Sequence, residues 1–176
     1  MYNLAKSREL NHFLSDTILS TDKGIILKDG IEYFHTKENT IATGFQIING
    51  RTYYFDEDGA MVKGEWREIQ KEWYYLQDNG TVTTDTLTLA GREYHFDLVG
   101  RMSKGFSKID NETYKYFHPE KGYALHGWIV DDNKIMFADD LGRLVRGRLT
   151  IGLEVFYIED NFTLRTSDKT PNGEKN

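Results

Sequence analysis

The chain has 176 residues, a net charge of −6 with Lys and Arg spread evenly, and no cysteine. The missing basic stripe argues against a nucleic-acid partner, because phosphate binding leans on clustered positive charge, and the missing thiols exclude a disulfide framework and thiolate-metal sites. No apolar run approaches the about 20 residues of a membrane helix, so no membrane insertion is expected; the first residues lack the pattern of a signal peptide, so any export signal is expected to lie elsewhere.

Residues 1–23 carry Leu4, Leu10, Phe13, Leu14 and Ile18 at loose helical spacing. They predict a short N-terminal helical cap covering the open edge of the first strands after Lys23. From Gly24 a period near twenty takes over, and such a period outranks the prior for one globular centre. Its clearest copy is Gly44–Lys63, GFQIINGRTYYFDEDGAMVK: an apolar run, Asn49-Gly50, an aromatic run, then Asp58-Gly59. Asn-Gly between two short apolar runs is the strongest short-range signal for a type I′ hairpin. Each copy therefore reads as a β-hairpin followed by a connector.

Copies start at Gly24, Gly44, Gly64, Asp85, Gly105, Gly127 and Gly147, and a late glycine recurs at Gly59, Gly80, Gly100, Gly122 and Gly142, with Asn39 and Phe162 in its place in the first and last copies. Counted from these starts, every extra residue falls inside a hairpin and the connectors keep a fixed length. Turns are expected at Asp29-Gly30, Asn49-Gly50, Ala90-Gly91, Asp110-Asn111 and Asp132-Asn133, while Gln70-Lys71 and Gly152-Leu153 fit the turn chemistry less well. A two-stranded hairpin is marginal alone in water, so each copy needs a neighbour to cover its rings. The fold class expected is all-β, a β-solenoid of about seven stacked hairpins: cap 1–23, array 24–166, and a polar tail 167–176 expected to be disordered.

The combination of start glycine, aromatic, Asn-Gly, Tyr-Tyr-Phe and Asp-Gly, as in Gly44-Phe45, Tyr53-Tyr54-Phe55 and Gly59, and again in Gly105-Phe106, Tyr114 to Phe117 and Gly122, resembles the cell-wall-binding repeat family. That family includes choline-binding modules, glucan-binding repeats of glucansucrases and carbohydrate-binding repeats of clostridial toxins. The resemblance covers residues 24–166. It implies a secreted or cell-surface, non-catalytic binding module with ligand grooves between successive hairpins and a cell-wall or cell-surface glycan as partner.

In choline-binding members, the resemblance further implies, a site takes a Trp after the start glycine, a Trp opening the second strand and a Tyr from the neighbouring copy. Here the first position holds Ile25, Phe45, Trp66, Thr86, Phe106, Trp128 and Arg148, and the second Glu32, Thr52, Trp73, Glu93, Thr113, Ile135 and Val155. Only the third copy then supplies both Trp residues, which points towards glucan-type or toxin-type grooves.

An aromatic face matches the C–H face of a sugar ring and also attracts a quaternary ammonium. The candidate ligand-binding residues are Phe45, Trp66, Trp73, Tyr75, Phe106 and Trp128, whose rings serve either as ligand platforms or as stacking spacers. Strand parity instead assigns Tyr53, Phe55, Tyr94 and Phe96 to the core. No metal spacing, nucleophile elbow or phosphate loop is present, so no catalysis and no cofactor are expected. Asp56, Asp58, Asp139 and Asp140 read as turn formers before calcium ligands. His35 and His95 read as packed or surface residues. A second reading is a structural solenoid that docks onto a partner protein.

Overall fold

The computed structural model describes residues 24–36 and 40–165; the helical cap and the polar tail lie outside them. The described residues contain no helix. They form seven two-stranded antiparallel sheets: β1 (Gly24–Lys28) with β2 (Ile31–His35), β3 (Gly44–Ile48) with β4 (Arg51–Phe55), β5 (Glu65–Ile69) with β6 (Glu72–Leu76), β7 (Asp85–Leu89) with β8 (Arg92–Phe96), β9 (Gly105–Lys108) with β10 (Tyr114–Phe117), β11 (Gly127–Asp131) with β12 (Lys134–Ala138), and β13 (Gly147–Ile151) with β14 (Glu154–Ile158). The chain divides into two compact units, Met1–Thr84 with the first three hairpins and Asp85–Asn176 with the other four.

Backbone conformation explains the turns. Asp29-Gly30, Asn49-Gly50, Gln70-Lys71 and Ala90-Gly91 all have positive φ at both central residues, as a type I′ turn requires to match the twist of the strands. Gln70 and Lys71 adopt φ of 54° and 69° with no glycine to help, so the ladder on either side overrides their local preference. In the fifth hairpin the reversal is wider than Asp110-Asn111: Ile109 N–H donates to the Thr113 carbonyl, and the Asp110 carboxylate accepts from the N–H groups of Glu112 and Thr113.

The register corrects two expectations. Glu65 faces Leu76 as Gly44 faces Phe55, so the extra residue of the third copy lies ahead of the strand and Gly64, φ 64°, makes the bend one residue early. Connectors are therefore not of fixed length. In the fifth copy Phe117 faces Gly105, so the residue equivalent to Thr52 is Tyr114, not Thr113.

Within each unit the connectors clamp consecutive hairpins. Met61 N–H donates to the Glu32 carbonyl of the preceding hairpin at 2.7 Å, while Val62 N–H donates to Tyr54 of its own at 3.0 Å. Val82 with Thr52, Ala124 with Glu93, Leu144 with Tyr114 and Leu164 with Ile135 repeat the first bond. Each two-stranded sheet thus satisfies its second strand through a connector, not by pairing with another sheet. The last residue of every second strand points inward: His35, Phe55, Leu76, Phe96, Phe117, Ala138 and Ile158 are all buried. Burial of each large side chain of this set contributes about 1.5–3 kcal/mol. Phe55 and Phe96 are core as parity predicted, but Tyr53 and Tyr94 are only half-buried.

The late glycines have a steric reason. Gly80 has φ 81°, and a Cβ there would run into Met61 Sδ. Phe162 takes the same place in the last copy with φ 66°, a conformation that is a genuine outlier for a bulky residue. Asp56, Asp97 and Asp139 each accept two backbone N–H bonds on Oδ1, holding the turn ahead of the late glycine.

Candidate functional site

Each hairpin has two unlike faces, set by alternation along the strand. Counting from the turn, Ile48 and Arg51 close the β3–β4 hairpin, so Phe45 and Tyr54 form a non-hydrogen-bonded pair, whose side chains stand about 4.5–5.5 Å apart at Cβ. Thr52 and Ile47 lie on the same face. This face carries the opening residue of every copy, exposed or half-buried, although its partner is buried in the first and fifth copies, Phe34 and Tyr116; the opposite face ends in the buried Phe55.

The opening ring makes the same contact in three copies. Phe45 lies edge-on to Tyr54 at 5.0 Å, Trp66 to Tyr75 at 5.2 Å, and Trp128 to Phe137 at 5.1 Å. It also reaches the following hairpin within its unit: Phe45 is 5.0 Å from Tyr74, and Trp128 is 4.9 Å from Phe156. Edge-to-face pairs at this separation are worth about 0.5–1.5 kcal/mol beyond the area they bury. The opening ring therefore both seals the joint between hairpins and presents its remaining face outward.

Exposure divides the six residues singled out from sequence. Phe45 and Phe106 are 40% and 48% exposed, large values for phenylalanine. Trp66, Trp73 and Tyr75 are half-buried, and Trp73 shares the face of Tyr75 two residues on in the same strand, opposite Glu68. Trp128 is half-buried as well and packs against the cluster of Phe156, Ile158 and Leu164, which makes it the most core-like of the six. The third copy is thus the one in which three of these residues, Trp66, Trp73 and Tyr75, share one face of one hairpin.

Four contributors escaped the sequence reading. Tyr54 and Tyr74 complete the surroundings of Phe45. Tyr114 gives the fifth copy an aromatic at the second position, 5.4 Å from Phe106; counting back from Phe117 instead of forward from Gly105 would have found it. Phe162 then closes that copy, 5.4 Å from Phe106 and 4.9 Å from Tyr114, and is itself buried. A phenylalanine at the late-glycine position was its only signal.

Cations already stack on rings in the second unit. The Arg92 guanidinium lies 4.5 Å from the centre of Tyr123, Arg146 4.9 Å from Phe162, and Arg165 5.2 Å from Tyr157, all within cation–π range. Among titrating groups, burial and then a hydrogen bond to Asp131 push the Tyr116 phenol up to about 12. Burial would raise the Asp97 and Asp139 carboxyls, but backbone N–H bonds and the guanidinium of Arg101 or Arg143 outweigh it and hold both below the usual carboxylate value.

Four histidines lie among the described residues, each in a packing or turn role. His35 is buried, and His95 Nδ1 bonds Ser103 Oγ at 2.8 Å while its ring stacks on Phe117. His118 Nδ1 accepts from the N–H groups of Glu120 and Lys121, and His126 Nδ1 lies 3.2 Å from the Asp139 carbonyl. Among the described residues no group of three or more His, Asp or Glu side chains is placed to hold a metal.

Known proteins share this repeat. Residues 42–87 match the choline-binding repeat model. Glucosyltransferase-S of Streptococcus mutans serotype c is 30% identical over 161 residues, covering 76% of this chain and 11% of the enzyme. Choline binding protein F of Streptococcus pneumoniae superimposes with a TM-score of 0.72 at 26% identity, over 82% of this chain and 48% of that one. CbpJ of Streptococcus pneumoniae TIGR4 does so with a TM-score of 0.72 at 25% identity, over the same shares. Over residues 42–87 the chain carries the choline-binding repeat, and its all-β hairpin-repeat fold is similar to that of the choline-binding proteins, in keeping with the cell-wall-binding repeat family. It spans about a tenth of the glucosyltransferase and about half of the two choline-binding structures.

Proposed function

We propose that the chain is a non-catalytic module that attaches a larger bacterial protein to a glucan-like polymer at the cell surface, through the outward faces of Phe45, Trp66, Trp73, Tyr75, Phe106 and, to a lesser degree, Trp128. The observation that carries this is the exposed Phe45 ring resting on Tyr54 and Tyr74, with Thr52 at the second position. Rings in mutual contact, with a small polar residue beside them, make an open platform and not a walled box. A pyranose ring can lie across such a platform with its hydroxyls in water, while a quaternary ammonium gains most when rings surround and desolvate it. The relative at 30% identity, a glucosyltransferase, supports a glucose polymer. Several weak platforms on one chain add up to avidity.

Residue-resolved NMR titration with linear gluco-oligosaccharides and, separately, with choline tests this. Saturable shifts centred on Phe45, Trp66 and Trp73 with the oligosaccharide, lost at the mutated copy in Phe45→Ala and in Trp73→Ala, are expected. Choline shifting the same resonances at lower concentration than the sugar would replace glucan by a choline-bearing polymer. No saturable shift with either ligand would defeat the proposal.

A further inference from the structure

The seventh copy keeps the ladder but exchanges the chemistry of the platform. Ile151 and Glu154 close its hairpin, so Arg148 and Tyr157 are a non-hydrogen-bonded pair on the accessible face, in the register of Phe45 with Tyr54. Arg148 is exposed and Tyr157 is 40% exposed. The Arg165 guanidinium lies 5.2 Å from the Tyr157 ring, held there by Glu159 at 2.8 Å. Arg101 and Arg143 of the second unit are neutralised in place by Asp97 and Asp139, both at 2.7 Å, and Arg92 and Arg146 lie over the rings of Tyr123 and Phe162. Among the described residues Arg148 has no such acid. An uncompensated guanidinium beside a half-open tyrosine, in a chain of net charge −6, is a local reversal of the protein's electrostatics.

From this geometry we infer that the seventh copy is a subsite for a sugar residue bearing a carboxylate or a phosphate: Tyr157 takes the ring face and Arg148 takes the anion. The inference rests on the saccharide reading above and adds the charge of one unit of the polymer. A guanidinium offers two parallel N–H donors that match either a carboxylate or a phosphate oxygen pair, so both sources share one recognition chemistry.

The full chain is titrated with glucose, glucuronate, glucose 6-phosphate and inorganic phosphate, following the Tyr157 ring and the Arg148 Nε–H. One or both charged sugars should bind roughly tenfold to a hundredfold more tightly than glucose, less so at high salt; which of them does so identifies the anion. Arg148→Ala should remove most of that advantage and leave the melting temperature and the oligosaccharide shifts at Phe45 and Trp66 unchanged. Equal binding of glucose and both charged sugars, an unaltered advantage in Arg148→Ala, or inorganic phosphate binding as well as glucose 6-phosphate would overturn the inference. If neutral oligosaccharides fail at Phe45 and Trp66 while a charged sugar still binds at Tyr157, the glucan reading falls and this one stands.

Discussion

The second and seventh copies share a backbone and differ in the chemistry of the face they expose. Both close with a two-residue turn, pair the opening residue with the residue before the end of the second strand, and bury the last one, Phe55 or Ile158. At the opening position one has Phe45 over Tyr54 and the other Arg148 over Tyr157. Across all seven copies that position runs through Ile, Phe, Trp, Thr, Phe, Trp and Arg without disturbing the ladder. Folding demands are concentrated at the end of the second strand, and the variation between copies at the start of the first. The two are nearly independent because alternation puts them on opposite faces.

The sharpest way to break this division is to truncate both ends of one hairpin. Phe55→Ala should cost about 3–5 kcal/mol, the range for a fully buried ring, whereas Phe45→Ala, with its ring 40% exposed, should cost about 1–2 kcal/mol, from lost area and its ring contacts with Tyr54 and Tyr74. Urea unfolding of the two variants decides it; comparable losses would mean that the opening ring is core after all.

A smaller effect distinguishes packing from strain at the closed fifth copy. Phe162 contributes a buried ring but holds φ at 66°, so removing the ring loses packing while glycine also relieves the backbone. Phe162→Gly should destabilise by about 2–3 kcal/mol. Phe162→Ala should be worse by up to about 0.5 kcal/mol despite its larger side chain, because alanine keeps the left-handed strain and the greater freedom of unfolded glycine offsets only part of it. Alanine proving the milder substitution would show that the ring and not the turn sets the cost.

Much of this was legible in the chain. Asn49-Gly50 and Asp29-Gly30 announce their turns because few residues tolerate two consecutive positive φ values. What misled was counting. A repeat read from its glycines places Thr113 at the second position and Gly64 at the head of a strand. Hydrogen-bond register instead counts from the buried end, and an insertion at a turn or joint slips one frame against the other by a residue. Gln70-Lys71 was obscured for a different reason, since tertiary context forces a turn that its residues do not favour. Phe162 was hidden because no local rule tells a ring that replaces glycine to fold back onto Phe106 and Tyr114.

Acid should separate the two units. Burial lowers the His95 pKa from its ordinary 6.5 and outweighs the nearby Asp85, Asp97 and Glu93, which raise it. The unfolded chain then binds the proton first. His95 therefore contributes stability that is present above the ordinary value and is lost as pH falls below it. Urea midpoints at about pH 8 and about pH 5 should fall for the second unit in the wild type and fall less in His95→Phe, which leaves a ring of the kind that Phe34 and Phe137 provide elsewhere. An equal decline in both proteins would assign it to other groups. Asp97 and Asp139 cannot supply that difference, since their depressed pKa values move their loss to still lower pH.

The smallest effect concerns the bend that begins each copy. Gly44, Gly105 and Gly127 hold φ of 71°, 61° and 72°, and Asp85 holds 70° with a side chain. A left-handed non-glycine residue costs on the order of 1 kcal/mol, of which the greater freedom of unfolded glycine takes back about 0.4–1 kcal/mol. Asp85→Gly should therefore stabilise by no more than about 0.5 kcal/mol. Gly105→Asp, where an added Cβ meets nothing within 4 Å, should destabilise by a similar amount, since only the backbone term changes. Opposite signs of similar size would show that the joint is a conformational requirement common to both copies. A large loss at Gly105 alone would show that some joints are also crowded, and that the copies are less interchangeable at their bends than at their opening residues.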